Sequence, residues 1–334
     1  MNFGTLFSGG EGVGVGLTAA GLRHAWGVEY DPAIAAVAQA NGFDVRVADV
    51  RAVDYAALPR VDWLHASPSC TRASVANSGA TEAQEDIETA AAVVRALDAQ
   101  RPAVFTLENV WQYRTFAAFR LICDALGRLG YFWTYDHVNA ADMGVPQTRR
   151  RLILRASRGL LPMLPEPVRW VGWYEAIEDL LPTLPPSKLA PWQLARLPAE
   201  LRGAVLVGGG NTQLAQVDSK ARAADEPMFT VTGNTKMGDN RAVLVAGLLN
   251  SDGEKLTRRD GGEPSFTVTT SHNQKDVRAA VGAHVVAMTP RCLARFQSVP
   301  DWYALPDKRT LAAKVIGNMV PPLLMQRIAE GFTA

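Results

Sequence analysis

NFGTLFSGGEGVGVGLTAAGL, residues 2–22, reads as a strand, a turn and a helix. Phe3–Phe7 is a short apolar run, Ser8–Gly12 a glycine-rich break, and Val13–Leu22 an apolar stretch of small residues. A strand that turns through glycine into a helix opens a βαβ unit, and the chain repeats the pattern. Candidate strands Ala25–Tyr30, Val45–Val50, Val61–Ala66, Val104–Leu107, Tyr131–Val138 and Arg151–Arg155 are interspersed with candidate helices Pro32–Asn41, Glu82–Ala99 and Phe116–Leu129. This rhythm, held from Met1 to about Ser157, predicts an α/β fold with a doubly wound, mostly parallel sheet. Ligands of such sheets bind outside the carboxyl ends of the strands, so the residues after Phe7, Tyr30, Val50, Ala66 and Leu107 are the first candidates for a site.

The 334 residues, 48% hydrophobic and 20% charged, suffice for one large or two ordinary domains and exclude disordered and collagen-like classes. Lys and Arg number 34 against 33 Asp and Glu, a net charge of +1. That excludes a uniformly basic coat for nucleic acid but leaves room for a local basic strip. The three scattered cysteines, Cys70, Cys123 and Cys292, form neither a disulfide framework nor a Cys-type metal site and point to a reducing compartment. No apolar run reaches the ~18 residues of a membrane span, and no basic stretch precedes the first apolar one. A soluble cytoplasmic protein with no metal and no membrane partner is expected.

Eight of the twenty prolines lie from Pro162 to Pro198, which reads as a connector leaving the first unit. Beyond it the sequence duplicates itself. Ala204–Val207 (AVLV) recurs at Ala242–Val245, and Glu226–Thr232 (EPMFTVT) recurs as Glu263–Thr269 (EPSFTVT). Two copies are too few for a solenoid and suit paired strand-and-loop units in a small β-rich domain. Met288–Ala334 regains helical periodicity and is expected to return to the first unit. The predicted division is residues 1–160, residues 161–286 and residues 287–334.

Three groups carry chemistry, the first being a loop together with two strand-end carboxylates. Phe7-Ser8-Gly9-Gly10-Glu11-Gly12 at the first strand-to-helix turn is either a plain glycine-rich turn or a loop whose amides approach a nucleotide-type cofactor. Glu29 and Asp49 end the second and third strands, where a carboxylate can accept ribose hydroxyls. Cys70 follows the fourth strand and Glu108 ends the fifth, so thiol and acid project over one sheet edge, an arrangement for covalent catalysis. In Gln147-Thr148-Arg149-Arg150-Arg151, strand alternation sends Arg149 and Arg151 to one side, available to a phosphate or a base carbonyl.

FSGGEG, VEYD, PSC, ENV, QTRRR and the terminal GNMVPP (residues 317–322) stand in the order found in DNA (cytosine-5)-methyltransferases, and the chain resembles that family over about Asn2–Leu154 and Met288–Pro322. The intervening insert lies where the family places its β-rich target-recognition domain. The resemblance implies S-adenosylmethionine as methyl donor and S-adenosylhomocysteine as product, with Phe7, Ser8, Gly9, Gly10 and Gly12 in the cofactor cradle. Glu29 would hold the ribose and Asp49 the adenine amino group, with Tyr30, Val50 and Ser67 beside them and Asn318 and Val320 closing the pocket. Cys70 is the implied nucleophile at carbon 6 of a flipped cytosine, Glu108 faces nitrogen 3, and Arg149 and Arg151 hold the base and its loop. Thr71–Asp86 is the implied cover. The implied partner is duplex DNA, bound as a monomer in the bacterial cytoplasm, with a cognate restriction endonuclease for the same site. The other readings are an RNA cytosine-5 methyltransferase and a catalytically silent DNA-binding relative.

Three positions depart from the family pattern: Ser69 and Thr71 flank the cysteine, and Glu11 stands where the cofactor loop commonly has a second glycine. In the insert, Asn234, Lys236, Asn240, His272, Asn273, Gln274 and Lys275 are either base-edge and phosphate contacts or residues of hairpin turns. From Arg202 to Val286 ten Lys and Arg balance nine Asp and Glu, so a basic strip is sought elsewhere, at Arg149, Arg150, Arg151, Arg155 and Arg158.

Overall fold

Most apolar runs of the first half close into strands, and the runs of small or amphipathic residues into helices. The computed structural model describes residues 1–68, 82–187, 204–207, 221–228, 241–244, 250–252, 255–257 and 284–333. In chain order the first half forms β1 (Asn2–Leu6), α1 (Gly12–Ala19), β2 (Arg23–Glu29), α2 (Pro32–Ala40), β3 (Val45–Val47), β4 (Trp63–Ala66), α3 (Gln84–Gln100), β5 (Val104–Asn109), α4 (Ala117–Arg128), β6 (Phe132–Asn139) and β7 (Arg150–Ser157). Local chemistry sets the ends. Asp31 caps α2, its carboxylate accepting from the Ala33 and Ile34 amides, with Pro32 in the first turn. In α4 the buried Phe119, Ile122, Cys123 and Leu126 recur at helical spacing and face the sheet. Burial pushes the Cys123 thiol up to about 12, so it packs as a small hydrophobe.

The seven strands run β3-β2-β1-β4-β5-β7-β6. All neighbours pair in parallel except at β7, which is antiparallel to both β5 and β6. The expected mostly parallel sheet is therefore mixed. Only residues 140–149 separate β6 from β7, too short for a parallel crossover, so the chain returns antiparallel and slots between β5 and β6. The strand order reverses at β1, whose two neighbours are β2 and β4. There the connections leave to opposite faces and open a crevice at the carboxyl ends of β1 and β4.

One face of the sheet is covered by α3 and α4 through Leu64, Phe105, Leu107, Leu126 and Leu154. The other packs Phe3, Trp63 and Ile153 against Leu17 of α1 and Leu324 and Ile328 of a C-terminal helix. Each such fully buried side chain contributes roughly 1.5–3 kcal/mol. The proline-rich segment does more than connect: Trp173, Ile177, Leu181 and Leu184 are buried in a core with Phe43, Leu293 and Tyr303. Regular structure is limited to two short helical turns, Trp173–Ile177 and Leu181–Thr183, the second with Pro182 near its start where no amide is needed, so the prolines do not prevent burial. Among the described residues no helix is long and apolar enough to cross a membrane.

Further strands β8 (Ala204–Val207), β9 (Ala221–Ala223), β10 (Arg241–Leu244) and, at the end of the insert, His284–Ala287 build an antiparallel sheet. The duplicated AVLV segments pair with each other: Ala204 lies opposite Leu244, Val205 opposite Val243, and Leu206 opposite Ala242. Position one of each copy thus faces position three of the other, a local two-fold centred on the two valines. The FTVT segments and the seven candidate DNA contacts from Asn234 to Lys275 lie outside the described residues.

Glu82 joins two distant segments. Its Oε1 accepts the Ala118 amide at 2.7 Å and its Oε2 the Ala117 amide at 2.9 Å, capping the start of α4. Glu82→Ala should lower stability by about 1 kcal/mol, read as a fall in thermal midpoint, and Glu82→Gln by less. An unchanged midpoint in the alanine variant would show the cap to be dispensable.

Candidate active site

The first loop holds an unusual backbone. Phe7, Gly9 and Glu11 all have left-handed φ, +57°, +56° and +59°. For the two non-glycine residues this costs on the order of 1–2 kcal/mol each. Surrounding bonds hold it in place: the Ser8 amide donates to the Val28 carbonyl, the Glu11 amide to the Ser8 carbonyl, and the Tyr303 hydroxyl to the Gly10 carbonyl at 2.6 Å. The departure at Glu11 is accommodated inward. Its carboxylate is fully buried beneath α1, where Oε1 accepts from the Thr5 hydroxyl and lies 3.3 Å from His24 Nε2. A Cβ at Gly14 or Gly27 would overlap that carboxylate, so these two glycines make the room it occupies.

The C-terminal part, Pro290–Phe296, Arg309–Asn318 and Pro322–Thr333, helical throughout, closes over this loop. A Cβ at Gly12 would overlap Met319 Cγ and the Val320 carbonyl oxygen, and one at Gly16 the Pro322 carbonyl oxygen. Gln147, fully buried, donates to the Phe296 carbonyl at 3.2 Å and to Gln297 Oε1. Gln297 passes the connection on to the Ile316 and Met319 carbonyls at 3.1 and 2.5 Å. The resulting cleft at the β1/β4 crevice is lined by Phe7, Ser8, Gly9, Gly12, Ser67, Asn318 and Val320 of the expected set, and by Thr5, Val13, His65 and Met319, which were not expected.

The other expected cofactor residues stand around it in different ways. Glu29 accepts the Gly9 amide at 2.8 Å and the Asp31 amide at 2.9 Å, tying the end of β2 to the loop. Tyr30 is 74% exposed just beyond it. Asp49 is engaged by Arg51, whose side chain donates to both its oxygens and holds its carboxyl below the usual range. Val50 is a core residue, and Gly10 faces Val315, Met319 and Tyr303.

At the carboxyl end of β5, Glu108 is 7% exposed. Arg151 Nε lies 3.0 Å from its Oε1, close enough for an ion pair. The N–H is not aligned with that oxygen, so among the described residues Oε1 has no hydrogen-bond partner. The next residue, Asn109, was missed as a site residue. Its Nδ2 donates to the Pro68 carbonyl at 3.1 Å, and its Oδ1 accepts the Val110 amide, which ties Pro68, the last described residue before Cys70, to the end of β5. Its place directly after Glu108 in ENV was the available signal. Cys70 and residues 71–81 of the expected cover lie outside the described residues.

Arg149 and Arg151 make different contacts, with Gly317 and Asn139 for the first and Glu108 for the second. The Arg149 guanidinium is buried and donates to the Gly317 carbonyl at 3.2 Å, while its amide donates to Asn139 Oδ1. Arg151 stands beside Glu108. The expected basic strip also breaks up, because Arg155 is 4% exposed, pairs with Asp136 at 2.8 Å and donates to the Pro162 carbonyl. Arg150 and Arg158 remain exposed.

The profile of the C-5 cytosine-specific DNA methylase family matches residues 1–333. The chain is 28% identical to the Type II methyltransferase M1.HphI of Haemophilus parahaemolyticus, over 97% of this chain and 84% of that protein. It is 26% identical to the Type II methyltransferase M.NgoPII of Neisseria gonorrhoeae, over 98% and 94%. The solved structure of Spodoptera frugiperda DNMT2 superposes with a TM-score of 0.64 at 14% identity, covering 100% of this chain and 99% of that one, a likeness of fold. With a family profile matched along nearly its whole length, on the mixed sheet and strand-end cleft described above, this chain belongs to the C-5 cytosine-specific DNA methylase family.

Proposed function

We propose that the protein methylates carbon 5 of cytosine in duplex DNA, using S-adenosylmethionine held in the β1/β4 cleft. The observation that carries the reading is Glu108: a buried carboxylate oxygen with no hydrogen-bond partner among the described residues, beside Arg151, at a strand end in a methylase chain. Such an oxygen is ready for a polar hydrogen, either one brought by a substrate amino group or the proton it shares with a ring nitrogen. The cleft fits the cofactor chemically. Gly9 turns the loop at left-handed φ, Glu29 offers its remaining acceptor positions to ribose hydroxyls, and the exposed Tyr30 ring offers a face to a planar base. When bound, S-adenosylmethionine supplies an electrophilic methyl group.

Carbon 5 of cytosine is a weak nucleophile. The Cys70 thiolate adds to carbon 6 while Glu108 gives nitrogen 3 a proton or hydrogen bond, which raises the electron density at carbon 5. After transfer, the carbon-5 proton passes to water, the carbon 6–sulfur bond breaks to return Cys70 as thiolate, and nitrogen 3 gives its proton back to Glu108, which restores the aromatic ring. The base must leave the stack, at a cost of a few kcal/mol. Arg151 keeps Glu108 oriented, Asn109 holds the Pro68 end of the Cys70 segment, and Arg149 holds Gly317 beside Asn318. The insert, residues 161–286, serves as the target-recognition domain, with the paired AVLV strands as its base, and the C-terminal segment completes the catalytic domain. Duplex DNA is the partner, bound by a monomer, with a restriction endonuclease acting on the same site.

The test is incubation with tritiated S-adenosylmethionine and mixed-sequence duplex DNA. Label is expected at carbon 5 of cytosine. Label in tRNA alone would move the substrate to RNA, and no label with folded protein would sink the proposal.

A further inference from the structure

Four side chains on one face of β4 and β5 share a chain of contacts that the methyl-transfer steps above do not use. Trp63 and His65 of β4 and Ser67, the residue just past its end, follow one another at two-residue spacing, and Thr106 of β5 lies directly opposite His65. Trp63 Nε1 donates to Thr106 Oγ1 at 3.0 Å, Thr106 Oγ1 is 2.8 Å from His65 Nδ1, and His65 Nε2 is 2.8 Å from Ser67 Oγ. Trp63, His65 and Thr106 are at most 1% exposed, so no bulk water completes these contacts.

Counting hydrogens assigns every donor. An indole nitrogen only donates, so Thr106 Oγ1 accepts from Trp63. The threonine hydroxyl then has one hydrogen of its own, and among the described residues its only other neighbour in the chain is His65 Nδ1. Were Thr106 to accept from His65 as well, that hydrogen would stand without an acceptor in a dry interior. Burial lowers the His65 pKa to about 3, so the ring carries one proton at neutral pH. With Nδ1 accepting, the proton is on Nε2 and is donated to Ser67. The Ser67 hydrogen is the last one, and Ser67 has no other side-chain partner among the described residues. Ser67 lines the cleft with Phe7 and Asn318.

We propose that Trp63, Thr106 and His65 form a one-way hydrogen-bond relay that sets the Ser67 hydroxyl as a donor to an acceptor oxygen of the bound cofactor. The proposal rests on the S-adenosylmethionine reading of the cleft. His65 and Thr106 are positioning residues and Ser67 is the contact. The relay also accounts for a histidine in a buried strand, where an aliphatic side chain would pack as well but could orient nothing.

Two measurements on the full chain test it. With 15N-labelled histidine, assigned by loss of the signal in His65→Gln, the His65 ring is expected to be protonated at Nε2 alone and to stay neutral down to pH 5. A proton on Nδ1, or a charged ring at pH 6, would overturn the relay. S-adenosylhomocysteine binding, followed by calorimetry, is expected to weaken about tenfold in Ser67→Ala and to be largely kept in Ser67→Thr, since only the first loses the hydroxyl. Binding unchanged in Ser67→Ala would overturn the proposal while leaving the cofactor reading intact. Failure of the wild-type chain to bind S-adenosylhomocysteine would sink the cofactor reading and the named ligand with it, whatever the tautomer.

Discussion

Cys70→Ser is expected to abolish transfer of label from tritiated S-adenosylmethionine to duplex DNA while S-adenosylhomocysteine binding persists. The thiolate is the reactive form of cysteine, and a serine hydroxyl ionises far too weakly to add to carbon 6. No other cysteine can take over. Burial pushes the Cys123 thiol up to about 12 and raises that of Cys292, and both are packed in hydrophobic clusters. Cys123→Ala should therefore keep its activity, which makes the contrast specific. Glu108→Gln belongs to the same argument and has a graded outcome. The amide keeps the shape and an oxygen acceptor but cannot supply the proton, so turnover should fall by roughly 10²–10⁴-fold. Retained methylation in Cys70→Ser would place the nucleophile elsewhere, and an unchanged Glu108→Gln would remove the acid from the mechanism.

The parts legible in the sequence were those set by near neighbours. The strands, their helices and Glu108 at a strand end follow from period and punctuation within short windows. Glu29 was legible as a strand-end carboxylate, though its bonds to the Gly9 and Asp31 amides were not. What stayed hidden depends on residues far apart in the chain. The sheet order cannot be read from alternation, so the reversed β7 emerges only from the short β6–β7 loop and its insertion beside β5. Alternation correctly describes β7 yet misjudges the arginines in and just before it, because Asp136 on the neighbouring strand claims Arg155 and Gly317, 168 residues away, claims Arg149. Trp173 and Leu184 sit among prolines and still enter the core, since burial needs an apolar side chain facing the right partner and not a regular backbone. Glu11 is the clearest case. It breaks the family's glycine pattern, and the space it needs is supplied by the absence of a Cβ at Gly14 and Gly27.

Gly12→Ala is expected to destabilise the fold, whereas Gly127→Ala should stabilise it, and the opposite signs test what the glycines of the first loop are for. In a plain cofactor cradle, Gly12 would matter only when ligand is bound. Its missing Cβ instead faces Met319 and the Val320 carbonyl, so one methyl group must push the C-terminal segment off the loop. Forcing a methyl into such a contact costs about 1–3 kcal/mol, and backbone on the far side leaves little scope for relief by a rotamer change. At roughly 2–4 °C per kcal/mol for a chain somewhat smaller than this one, the thermal midpoint without ligand should fall by several degrees. Gly127 lies inside α4 with open space where its Cβ would be and no left-handed φ, so alanine there should add about 0.5–1 kcal/mol. Gly9→Ala separates the remaining possibility: nothing crowds its Cβ, but its φ of +56° makes alanine cost on the order of 1–2 kcal/mol through the backbone alone. If Gly12→Ala unfolds at the wild-type temperature in the absence of ligand, the C-terminal segment does not close on the loop as tightly as the structure has it. A loss seen only with S-adenosylhomocysteine present would return Gly12 to the cradle.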